Sequence, residues 1–265
     1  MAKVKTSFPI TGKFGNYSRY TRKGSDQIIT RSRGGGSKSK IKKSKKAANV
    51  RLSNSEFAGA GKTSGKIQCA MYAVKHLAEP VLSGRLTAVA TQIQKRDLEN
   101  SVGKRSILFS KYPGILNGFS INADIPFDTY LKNPMEYSIS RSNLSATIVV
   151  PELMNKINFD TPAGFPLYRV IAVLGIVPDM IRGATEYEPV NNRIIYAPRQ
   201  DQTDWIAVKS KPTSRSLNIQ LLENSNFDDS CSLILCVGIE FGKYVSDELV
   251  TPGKDVGSAK ILAHV

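Results

Sequence analysis

Two stretches of this chain, LYRVIAVLGIV (167–177) and CSLILCVGIEF (231–241), are nearly continuous runs of branched and aromatic residues. A strand with one wet face alternates apolar and polar side chains, whereas a strand apolar throughout needs cover on both faces. The runs fall well short of the about 20 residues of a membrane span. They read as central strands of a sheet, or as strands buried against another subunit.

Shorter β-rich runs cut by turn formers surround them: RSILF (105–109), GFSINADI (118–125), EYSIS (136–140), LSATIVV (144–150), NRIIYA (192–197), DWIAVKS (204–210) and SLNIQLL (216–222). Arg141-Ser142-Asn143 is a hairpin-length gap, and Leu217, Ile219 and Leu221 share one face of their run. Such spacing, with Pro, Gly, Asn and Asp in the gaps, predicts a β-sandwich or barrel. Ahead of it, KIQCAMYAVKHL (66–77) is apolar enough for a first strand, with a helix left open. Leu82, Leu86, Val89 and Ile93 then mark one face of a helix, weakened by Gly84. From Ser246 onward no strand pattern returns until AKILAHV, so 246–265 is expected as a tail, lying across a neighbour or mobile.

Charge divides the chain sharply. The first fifty residues hold ten Lys and four Arg against Asp26 alone, a net +13 of the chain's +15. The remaining 23 basic and 21 acidic residues leave only +2. With few large aliphatics, residues 1–50 cannot bury enough surface to offset the entropy of ordering, so a disordered arm is expected. Its first half interleaves Phe8, Phe14, Tyr17 and Tyr20 with basic residues; its second half is SKSKIKKSKK (37–46). Cations neutralise phosphates and release counterions, while aromatic rings stack on unpaired bases. The expected nucleic-acid contacts are Lys3, Lys5, Lys13, Arg19, Arg22, Lys23, Arg31, Arg33, Lys38, Lys40, Lys42, Lys43, Lys45 and Lys46, with Tyr17 and Tyr20 stacking. A nuclear address using the same lysines is compatible with that role.

Gly59-Ala60-Gly61-Lys62-Thr63 imitates the end of a phosphate-binding loop, but the motif's first glycine position is Glu56. The segment reads instead as a small-residue hinge, 51–65, joining the arm to a shell domain at 66–245. Nucleophile elbows, HExxH helices and dinucleotide glycine fingerprints are missing, so no enzyme and no cofactor are expected. The acid pairs Asp228-Asp229 and Glu186/Glu188 sit in polar turns, where carboxylates are solvated. Cys231 and Cys236 are an odd number of residues apart in one strand and therefore face opposite ways. Three scattered cysteines and two histidines argue against disulfides or zinc and fit a reducing, cytosol-like compartment. Met1–Ile10 has no apolar core of a secretory signal.

A basic arm (KSKIKKSKK, 38–46), a glycine-rich hinge and the long strands LYRVIAVLGIV and SLILCVGIEFGKY together resemble the capsid proteins of small icosahedral viruses. The likeness is greatest to the jelly-roll capsid proteins of circular single-stranded DNA viruses, although this arm is richer in Lys than in Arg. The resemblance implies an all-β fold: a jelly-roll sandwich of about eight strands, with room for one short helix. It implies self-assembly into a shell of sixty copies or a multiple, in a virion made in the host nucleus or cytoplasm. The genome would be single-stranded, DNA ahead of RNA, with no membrane involved. Sixty arms would carry roughly 800 positive charges onto it, each arm weak alone and cooperative together. The rival reading is a host or phage nucleic-acid-binding structural protein, ribosomal or chromatin-like; such proteins carry basic charge on their folded face as well.

Overall fold

The computed structural model describes all residues except 1, 5–9, 23–24, 33, 35, 223–226 and 247–248, together with the side chains of 2–4 and 254–255. It divides into two units, Met1–Ser53 and Asn54–Val265. Each has its own architecture.

The first unit contains a small antiparallel sheet of order β1-β4-β3-β2: β1 (Ala2–Val4), β2 (Gly12–Phe14), β3 (Tyr17–Thr21) and β4 (Ile28–Ser32). Strands β2 and β3 are joined by Gly15-Asn16, with Gly15 at φ +52°. That left-handed backbone costs glycine nothing and suits a two-residue hairpin turn. Helix α1 (Lys38–Lys43) follows, capped by the Ser37 hydroxyl, which accepts from Lys40 N at 3.2 Å. The Lys45–Ala47 turn of 3-10 helix leads into α2 (Ala48–Ala70). The described residues of the arm therefore carry regular structure where disorder is expected. Among the described strand side chains only Ile28 and Ile29 are buried; backbone ladders and cation–ring contacts hold the rest.

The second unit has three layers. Its middle layer is an antiparallel sheet of order β10-β7-β13-β14, with β11 also pairing β7. The strands are β7 (Leu167–Pro178), β10 (Arg199–Gln202), β11 (Ile206–Ala207), β13 (Cys231–Tyr244) and β14 (Val250–His264). The second sheet, β12-β6-β5, consists of β5 (Glu136–Ser140), β6 (Ser145–Val150) and β12 (Arg215–Gln220). The short pair β8 (Met180–Arg182) and β9 (Tyr187–Pro189) stands apart. The third layer is helical: the 54–70 part of α2, the 3-10 segment Tyr72–Leu77, and α3 (Leu82–Lys95). A short α4 (Phe127–Tyr130) lies outside that layer in sequence.

The two long runs explain the layering. On β7, Val170, Ala172, Leu174 and Ile176 face the β12-β6-β5 sheet, while Ile171, Val173 and Val177 face the helices. On β13 the same division separates Leu233, Leu235, Val237, Ile239 and Phe241 from Ile234 and Cys236. Burial of each such side chain contributes roughly 1.5–3 kcal/mol, so both faces of these strands are strongly specified. Of the two expectations for the uncovered runs, central strands hold, and the cover comes from the same chain. Glycine makes the helical cover possible. A Cβ on Gly175 would lie 2.2 Å from the Ala70 carbonyl oxygen, so α2 meets β7 backbone to backbone.

Several expectations need correction. An all-β chain with one short helix is not what forms: strands take 35% and helices 24%. The hinge at 51–65 is the interior of α2, and the KIQCAMYAVKHL stretch is helical rather than a first strand. Ala60, Thr63, Ser64, Ile67, Ala70, Met71 and Val74 recur at helical spacing and are buried; their packing outweighs the about 1 kcal/mol that each glycine costs in a helix. The 246–265 tail is largely β14, which pairs antiparallel with β13 through two register shifts. The several antiparallel sheets, with β6 paired to β12 and β7 to β13, are compatible with a β-sandwich. The helix over Leu82–Lys95 and the strands at 136–140, 145–150 and 215–220 lie where expected.

Candidate nucleic-acid interface

In the small sheet of the first unit, cross-strand register decides which side chains share a face. Lys13 pairs Ser18, and Ser18 pairs Arg31, so these three form one row. Tyr20 lies two residues beyond Ser18 on that face, and the Arg31 guanidinium sits 5.5 Å from the centre of its ring. The opposite face carries Phe14, Tyr17 and Arg19, with the Arg19 guanidinium 5.5 Å from the Phe14 ring centre. Each face thus presents a cation against an aromatic ring, the pairing that base stacking and phosphate neutralisation exploit together. Phe14 and Tyr17 are 43% and 56% exposed, open for a base to cover. A groove of about 450 Å³ runs past Lys13, Ser18, Arg31, Ser32 and Gly34.

Helix α1 adds Lys38, Lys40, Lys42 and Lys43, and the following turn adds Lys45 and Lys46, all exposed. Lys38 and Lys42 stand one helical turn apart, an arrangement that destabilises an isolated helix by about 0.2–0.5 kcal/mol. Arg51 offsets part of this by donating from Nη1 to the Ile41 and Ser44 carbonyls, both at 2.8 Å. Among the described residues, no arm cation is held in an ion pair. Arg22 is exposed beside β3. Lys5, Lys23 and Arg33 lie outside the described residues, as does the side chain of Lys3.

The second unit treats its cations differently. Arg105 grips Glu56 with Nε and Nη2, each at 2.6 Å, and holds that carboxyl below its usual range. Lys62, from the imitation phosphate loop, bonds Glu186 at 2.6 Å; the segment is mid-helix and cannot cradle a phosphate with its amides. Arg85 pairs Glu79 at 2.7 Å and Lys132 pairs Asp160 at 2.9 Å. Glu240 is buried; desolvation works to raise its pKa, yet hydrogen bonds with His76 and Arg169 leave it lowered. His76, unpartnered in its sequence neighbourhood, thus finds an acid 164 residues away. Glu186/Glu188 lie at β9, and Asp228 accepts from Ser230 and Asn191 at the surface. Cys231 and Cys236 are buried in different cores, and all three thiols are free. Among the described residues, no three His, Cys, Asp or Glu side chains gather as a metal set, and no helix is long and apolar enough to cross a membrane.

The structure therefore gathers Lys13, Arg19, Arg31, Tyr17 and Tyr20 on one small sheet and the six Lys between 38 and 46 on one helical segment. Phe14 belongs with them and is missing from the expected contacts. Its signal is the FGNY string, in which Gly-Asn between aromatic residues marks a tight hairpin. Compared with protein-family models, curated proteins and solved structures, the chain matches none of them.

Proposed function

We propose that this protein is a viral coat protein: its sandwich unit associates with copies of itself into an icosahedral shell, and its basic arm binds the single-stranded genome. The observation that carries the reading is the segregation of net charge, +13 in residues 1–50 against +2 in residues 51–265. Among the described residues no arm cation is in an ion pair, whereas seven cations of residues 54–265 are. A ribosomal or chromatin-like protein needs cations free on its folded face, and the +2 balance of residues 51–265 favours the shell reading instead. The jelly-roll likeness enters the proposal through the two-sheet sandwich and the division of charge. Single-stranded DNA is the favoured cargo, with virion and host nucleus the expected locations. Contacts with the genome are sequence-tolerant, because Lys, Arg and stacked rings do not read base edges.

Size-exclusion chromatography with electron microscopy of the full-length protein tests this. Discrete closed particles containing nuclease-protected single strands are the expected result. A monomer that binds short duplexes at every concentration would replace the shell reading with the ribosomal or chromatin-like one.

A further inference from the structure

The second unit holds a groove that the arm does not explain. It encloses about 580 Å³ between the 155–166 segment, β11 and the end of β13. That volume lies within the range of small-ligand sites. Phe165 and the exposed ring of Tyr244 form aromatic walls; Lys156 and Lys209 stand at the rim. Lys243 reaches over the Phe165 ring, its Nζ 4.4 Å from the ring centre. No described residue lining the groove is a carboxylate, and none of the three lysines is in an ion pair among the described residues. With no carboxylate lining it, the groove is a local surplus of positive charge.

The backbone under Lys156 points the same way. Its φ is +69°, a left-handed conformation in which glycine is the ordinary occupant. The turn is tied by Lys156 N donating to the Phe159 carbonyl at 2.8 Å, with Leu153 and Phe159 buried in the sandwich core on either side. Lys156 occupies a position where glycine would fit with less strain, and it supplies an amine at the rim. Aromatic faces beside uncompensated amines match a ligand that is a flat ring joined to an anion.

We propose that this groove binds one nucleotide of a single-stranded nucleic acid, the base against Tyr244 and Phe165 and the phosphate between Lys156, Lys209 and Lys243. A second copy of the chain is the poorer occupant, since a near-neutral surface offers three lysines no complement. The inference takes its ligand class from the packaging proposal but uses none of the arm residues.

The test uses the full-length chain, a bromouracil-substituted oligodeoxynucleotide, ultraviolet crosslinking and peptide mapping. A crosslinked peptide containing Tyr244 or Phe165 is expected beside arm peptides containing Tyr17 or Tyr20. The double variant Lys156→Gly, Lys209→Ser should lower the groove crosslink about five-fold or more and spare the arm crosslinks. Glycine suits the backbone at 156, and an unchanged melting temperature verifies that the variant is folded. Crosslinks confined to the arm, or a groove yield indifferent to the double variant, overturn the proposal and leave the arm reading standing. Groove crosslinks without arm crosslinks support it and overturn the role of the arm.

Discussion

In residues 1–53 the side chains that define the unit point to solvent: rings and cations displayed on a small sheet, lysines around a short helix. In residues 54–265 charges of opposite sign nearly balance, and apolar groups are divided between two cores on either side of one sheet. A surface built on unpaired charge depends on salt and on a polyanion for its energy. A doubly covered sheet depends on steric fit. The same kind of substitution should therefore have opposite consequences in the two regions.

Glycine provides the largest contrast. Gly175→Ala places a Cβ against the Ala70 carbonyl and should destabilise the second unit by about 3–4 kcal/mol, read as a lower midpoint in urea. Gly34→Ala in the arm meets nothing within 4 Å and should change the midpoint by less than about 0.5 kcal/mol. Equal effects would remove the distinction.

Next comes pH. His264 is buried with its ring edge-on to that of Phe109. Burial, with Arg141 adding repulsion, lowers its pKa from 6.5 to about 4. The native state keeps the ring neutral while the unfolded chain takes up a proton below 6.5, so this contribution is complete above 6.5 and is lost as pH falls towards 4. The loss is on the order of 3 kcal/mol. A His264→Leu variant should flatten the dependence of the urea midpoint over that window, and an unaltered slope would refute the assignment.

Replacing Lys38, Lys40, Lys42, Lys43, Lys45 and Lys46 by Gln should weaken single-strand binding about 100-fold at moderate salt, some 2.7 kcal/mol, with the urea midpoint unmoved. The slope of log affinity against log salt should become shallower by about four, at roughly 0.7 for each lost phosphate contact. The smallest effect belongs to Tyr17→Ala, which should cost about 1–2 kcal/mol of affinity through lost stacking and leave the salt slope unchanged, as titration at two salt concentrations will show.

Much of this division is legible in the residues. The unbroken runs at 167–177 and 231–241 announce covered strands, the 82–93 periodicity announces α3, and alternation in SLNIQLL places Leu217, Ile219 and Leu221 in the sandwich core. The candidate interface is legible as composition, but its arrangement is not: Lys13, Ser18 and Arg31 become a row only through cross-strand register. The α2 helix is hidden by Gly59, Gly61 and Gly65, which suggest a flexible joint until Tyr187 is seen packed on Gly59. NRIIYA reads as a strand yet forms none, because the partners of β7 on that side are Arg199–Gln202 and Ile206–Ala207.

The sequence by itself determined where charge resides, which strands require cover and where α3 begins, because charge and hydrophobic period are local properties of the chain. Only the tertiary structure decided what supplies the cover, that β14 completes the central sheet, and that His76 and Lys62 each have an acid to hold. Those outcomes depend on contacts between residues far apart in sequence, and no local pattern encodes which distant partner arrives.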